Sequence, residues 1–126
     1  MFGSSFTPSG GGGGVYVPAI TPPTVNVNYI TPFNFNYIVM GGQVFFNGML
    51  IINSLAIGAI DFYMSLPVNP ALFANVADAN SNGTSPVYGM IGSGQPEIGG
   101  VRILQYFYSP IALTDMYTRI VGGYRL

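Results

Sequence analysis

The chain has 126 residues, room for one domain, and only 6% of them are charged, with a net charge of -1, against about 25% in an ordinary soluble domain. It has no cysteine, no histidine and no lysine, which removes disulfides, thiolate and imidazole metal ligands, a histidine general base, a Schiff-base lysine and a lysine cradle for phosphate. Its three arginines, Arg102, Arg119 and Arg125, are too scattered to track a nucleic-acid backbone.

Residues 1–14 are of low complexity and end in five glycines, Gly10 to Gly14. They read as a flexible tether, because a phosphate-binding glycine loop needs a strand before it and a helix after it. Phe2 and Phe6 are apolar beads on this string, and with Tyr16 they are the expected anchors that dock in a partner's pockets. The N-terminus lacks Lys and Arg and does not read as a signal peptide. Residues 15–32 are rich in Pro and β-branched residues, which predicts an extended arm lying along another subunit.

Alternation then begins. Residues 25–29 and 33–37 place apolar side chains on one face and amides on the other. Gly41 and Gly42 predict a hairpin turn. Residues 43–52 form the richest strand: Val44, Phe46, Leu50 and Ile52 make a core face. The other face, with Phe45, Met49 and Ile51, is too apolar for water and suits a contact between subunits. Residues 60–66 form a half-buried strand that stops at Pro67. From 68 to 100 the composition predicts loop, with one helical turn within 71–78 and a short strand near 87–91. Residues 101–108 return to strand, with Val101, Ile103 and Phe107 on one face, and a last strand spans 113–121 before Gly122 and Gly123 turn the end back.

The uncharged stretch 38–60 is no membrane helix. It contains Gln43, Asn47, Asn53 and Ser54, and its longest apolar run, from Met49, is four residues. Short strands between Gly and Pro turns predict an all-β fold, an antiparallel β-sandwich of jelly-roll type. Residues 1–32 are the flexible anchor and arm, and 33–126 the head domain.

The chemistry-bearing residues are few. Asp61, Asp78, Glu97 and Asp115 show no spacing that sets up a catalytic pair, and no enzymatic activity is expected. Asp78, Asn80 and Asn82 with Gly83 match the start of a calcium loop, but the twelfth position is Gly89 instead of Glu. An Asx-rich surface loop is the favoured reading, so neither a metal nor a cofactor is expected. Tyr106, Phe107 and Tyr108 offer a stacking platform for a sugar, with core packing as the alternative.

Phe35, Asn36 and Tyr37 lead into the Gly41 and Gly42 turn and then into Val44, Phe45, Phe46, Asn47 and Gly48. Ser65, Leu66, Pro67 and Val68 close a later strand. After a Gly-rich loop, residues 102–108 join an Arg to alternating aromatics, and Tyr117, Thr118, Arg119 and Ile120 come near the end. This order resembles the small β-sandwich fibre and capsid-decoration (head-fibre) proteins of tailed bacteriophages, over residues 33–121. Phe45 and Phe46 are bulkier than the Thr or Val usual there, and the closing motif is one residue out of the usual order. The resemblance implies a homotrimer anchored by its N-terminus to capsid or other virion proteins. Such a protein is assembled in the host cytoplasm and displayed on the virion exterior. A receptor- or glycan-binding tail-fibre tip that grips a host-surface glycan is the competing expectation; neither involves nucleic acid or membrane insertion.

Overall fold

A computed structural model describes residues 12–126. Among the described residues nine strands form one antiparallel sheet: β1 (Gly13–Val15), β2 (Ile20–Val25), β3 (Val27–Met40), β4 (Gln43–Ser54), β5 (Gly58–Met64), β6 (Ala79–Ser85), β7 (Met90–Pro96), β8 (Ile103–Ser109) and β9 (Met116–Arg125). A 3₁₀ turn, Val76–Asp78, precedes β6. The strand order is β1-β3-β4-β9-β6-β7-β8-β5-β2. The fold is all-β, as the alternation predicts. Among the described residues no helix is long and apolar enough to cross a membrane.

The sheet curls because one chain segment serves both of its ends. β2 pairs with β5 and β3 with β4, and only Asn26 separates β2 from β3. Asn26 sits at φ 59°, a left-handed conformation that Asn tolerates better than most residues. Its side chain donates to the Ala56 carbonyl and accepts from the Ala56 N–H, both at 2.8 Å. The corner is thereby tied to the turn between β4 and β5.

Alternation fills the inside of the curl. Val44, Phe46, Leu50 and Ile52 of β4 are buried, as are Ile60, Phe62 and Met64 of β5 and Met116, Ile120 and Tyr124 of β9. Phe62 and Phe107 lie parallel with ring centres 6.1 Å apart. Gly48 and Gly83 leave the space that the Phe35 and Phe107 rings occupy. Gly41 and Gly42, at φ 60° and 77°, make the β3–β4 turn, the expected use of glycine there.

Several expectations need correction. The stretch read as loop from 68 to 100 contains the hairpin β6–β7. Its inward positions on β6 are Ala79, Ser81, Gly83 and Ser85, too small to register as an apolar face. Gly122 and Gly123 do not turn the chain back: β9 runs through them to Arg125. Val101 precedes β8, and Ile103, Gln105, Phe107 and Ser109 form its inner face. The expected boundary at 32/33 falls inside β3. Gly13 and Gly14, read as tether, and residues 20–25, read as an arm on another subunit, pair with strands of their own chain. β2 carries Pro22 and Pro23 at a sheet edge, where proline is tolerated, and its register with β5 shifts between Thr21 and Val25.

Candidate assembly surface and groove

The odd-numbered residues of β4 point outward, and strand register extends them into a face. Phe33 of β3 lies opposite Met49, which lies opposite Arg119 of β9; Thr31, Ile51 and Tyr117 form the next row, and Ile38, Phe45 and Gly123 another. Phe45 is 47% exposed and Tyr117 55%, while Phe33, Met49 and Ile51 are half-buried. The Phe33 and Tyr117 rings meet edge to face at 6.1 Å. The three residues expected at a subunit contact, Phe45, Met49 and Ile51, therefore share one outward face. Phe33, Tyr117 and Val121 extend it, and only their cross-strand register brings them there.

At one end of this face lies a groove of about 530 Å³ lined by Gln43, Phe45, Asp78, Asn80, Gly123 and Arg125, among others. Gly123 stands between Phe45 of β4 and Asn80 of β6, and its missing side chain makes the dip. Asp78 closes one side. Its Oδ2 accepts from the backbone N–H groups of Ala74 (2.6 Å) and Asn75 (2.9 Å), and its Oδ1 from Arg125 Nη2 (2.9 Å). The two N–H groups, with Arg125 behind them, hold this carboxyl below the usual carboxylate range.

The residues of the calcium-loop match have other places in this geometry. Oδ2 of Asp78 belongs to the capping box of a 3₁₀ turn, and Oδ1 pairs with Arg125. Asn80 and Asn82 are outward residues of a strand, with Ser81 between them bonded inward to Gln105 Oε1 at 3.0 Å. Among the described residues no three His, Cys, Asp or Glu side chains gather as a metal site.

Tyr16, an expected anchor, packs on its own sheet, edge to face with Phe35 (5.5 Å) and Tyr37 (5.9 Å). Burial raises its phenol pKa. Phe2 and Phe6 lie outside the described residues. The aromatic platform divides: Phe107 is in the core, and Tyr106 and Tyr108 are exposed outside.

Two further carboxylates are held at separate places. Glu97 is gripped by Arg102, which donates to both of its oxygens at 3.0 Å. Asp115 accepts from the Tyr29 hydroxyl and, at 2.9 Å, from Asn53 Nδ2. These bonds lower the Asp115 pKa, and the bond to Asp115 raises that of Tyr29. Sequence reading missed both clusters: Tyr29 lies 86 positions from Asp115, and Arg102, only five from Glu97, also donates to Thr21 Oγ1, 81 positions away.

Comparison with family models, curated proteins and solved structures found no match.

Proposed function

We infer that this protein is a self-assembling structural component of a virion, most specifically a trimeric head fibre that decorates the capsid exterior. The observation that carries the self-assembly is the outward face of β3, β4 and β9, where Phe33, Phe45, Met49, Ile51, Tyr117 and Val121 are neighbours. A face of this kind on a chain with 6% charged residues is relieved of water by a symmetric contact with further copies. The trimer, the capsid and the assembly in a host cytoplasm rest on the resemblance over residues 33–121. The role is mechanical, and several copies multiply weak anchor contacts through effective concentration. Replacing Met49 by Glu tests it: the folded chain remains, because the side chain points outward, and the assembly falls to single chains. An unchanged assembly overturns this face as the contact.

The groove favours a second reading, a glycan-binding fibre tip. The Phe45 ring offers an apolar plane beside Gln43, Asn80 and Arg125, a pairing of one flat surface with a few polar groups that suits a sugar ring. Binding on a glycan array that disappears with Phe45→Ala supports it; an array silent with the purified protein removes it.

A further inference from the structure

The exposed side of β3 carries a strand slot with chemical selectivity. Residues 12–16 run antiparallel along residues 35–39. Gly13 pairs with Ile38, Gly14 with Tyr37 and Val15 with Asn36. The Val39 N–H donates to the Gly12 carbonyl at 2.5 Å, and the Tyr16 N–H to the Phe35 carbonyl at 3.2 Å. The approach is so close at Gly13 that a Cβ there would stand 2.5 Å from the Tyr37 carbonyl oxygen and 3.2 Å from the Ile38 Cα. Only glycine fits. Three positions on, the slot ends in the seat of Tyr16 on Phe35 and Tyr37. The slot thus reads a short pattern, glycine and then an aromatic at the third residue beyond it.

The occupant is held lightly. All three β1 residues are exposed, and Val15 and Val17 stand 85% and 81% exposed on either side of Tyr16. Such an element opens before the rest of a fold. The chain regains the sheet at Ala19, whose N–H donates to Ser65 Oγ at 2.7 Å, so only Val17 and Pro18 join the light strand to the firm one. The slot also borders the apolar face: Ile38 is the register partner of Gly13 on one side and of Phe45 on the other.

We propose that in the assembled protein the slot at residues 35–39 of one copy receives residues 12–16 of a second copy, so that neighbouring chains are tied by exchanged N-terminal strands. The proposal rests on the self-assembly reading. Exchange remakes the same hydrogen bonds, the same glycine fit and the same tyrosine seat, so it loses no contact. Within an assembly the neighbour's segment is present at a millimolar effective concentration. Every copy brings the glycine and the aromatic that the slot selects.

The chain has no cysteine, so a disulfide can report the pairing cleanly. Val15 and Asn36 face each other next to the hydrogen-bonded pair of Tyr16 and Phe35, a position where Cα atoms are about 4.5 Å apart in antiparallel sheets and a disulfide closes without strain. Full-length V15C and N36C single variants are co-refolded in equal amounts, oxidised and run on a non-reducing gel. The V15C/N36C double variant is treated alike. Exchange predicts a disulfide-linked pair of chains in the mixture, in a share that does not fall on dilution, and none like it in either single variant alone. A double variant that closes only within its own chain, with the mixed singles unlinked, overturns the exchange. So does a failure of both to link, because the segment then does not occupy the slot. Light scattering on the same samples before oxidation separates the two readings. An oligomer without interchain bonds refutes the exchange and leaves self-assembly standing, whereas a mass of one chain refutes both.

Discussion

The Arg102 guanidinium carbon lies 3.9 Å from the centre of the Tyr63 ring, stacking a cation of the loop before β8 on an outward tyrosine of β5. The same group donates twice to Glu97 and, through Nη1, to Thr21 Oγ1 (2.9 Å) and the Pro22 carbonyl (3.1 Å). One side chain therefore fastens the edge strand β2, whose prolines weaken its own ladder, to the body of the sheet.

Arg102→Ala is expected to release β2 before it unfolds the protein. Hydrogen exchange at the Thr21 amide should rise while exchange in β4 and β9 stays slow. Arg102→Lys should rescue little, because a lysine keeps the charge without the planar fork that meets Glu97 with two bonds. Equal protection of β2 in wild type and R102A contradicts the role.

Gly48 and Phe35 make a second close fit, since a Cβ at 48 would overlap the Phe35 ring. Gly48→Ala should cost roughly 1–3 kcal/mol of overpacking. Adding Phe35→Leu should cost less in the G48A background than in wild type. The coupling in a double-mutant cycle, by denaturant unfolding, measures the contact. Additive effects would show that the ring has moved aside.

Gln105 is fully buried. Its Oε1 accepts from Ser81 Oγ at 3.0 Å, but its Nε2 has no partner among the described residues. An unpaired buried donor costs about 1–3 kcal/mol. Replacing both members, Gln105→Met with Ser81→Ala, is expected to leave stability unchanged or raise it by roughly 1 kcal/mol. A clear loss in a urea titration would mean that the amide is satisfied in solution.

Stability should fall at both ends of the pH scale. Asp78, Glu97 and Asp115 have lowered pKa values, from backbone N–H groups, Arg102 and Tyr29 respectively. Their contribution is present above the unfolded carboxylate range, near pH 4, and is lost as pH drops through their folded values. At the alkaline end, burial pushes Tyr124 up to about 12. The folded state then holds a proton that the unfolded state releases near pH 10, so this contribution fades as pH rises from about 10 to about 12. Melting temperature against pH should show a plateau between these limits, and Asp115→Asn should flatten the acid limb. A profile with no acid limb contradicts the assignment.

The sequence is most transparent where side chains are large. β4 could be read in register because Val44, Phe46, Leu50 and Ile52 alternate with outward residues, and its turn because two glycines meet there. β6 was hidden because its inner residues are Ala, Ser, Gly and Ser. At Gly83 the Phe107 ring, contributed from β8, fills the space that a side chain would need. Nothing within residues 79–85 announces that ring. Gly122 misled for a similar reason: it is a strand position whose Cβ would press on the Phe46 ring at 2.6 Å. The early chain looked like an arm because prolines and glycines weaken strand propensity, and the pairing that overrides them comes from β5 and β3. Of the candidate surface, Phe45, Met49 and Ile51 were legible from alternation alone. Phe33, Tyr117 and the groove needed the order of strands.

Self-assembly as proposed buries the outward face of β3, β4 and β9 against further copies of this chain. The most direct measurement is the absolute mass of the detergent-free, full-length protein by light scattering on a sizing column. The expected mass is that of three chains, against 13.4 kDa for one, with a return to one chain in the M49E variant. A wild-type mass of one chain at micromolar concentration would contradict it and leave the apolar face to a partner of another kind.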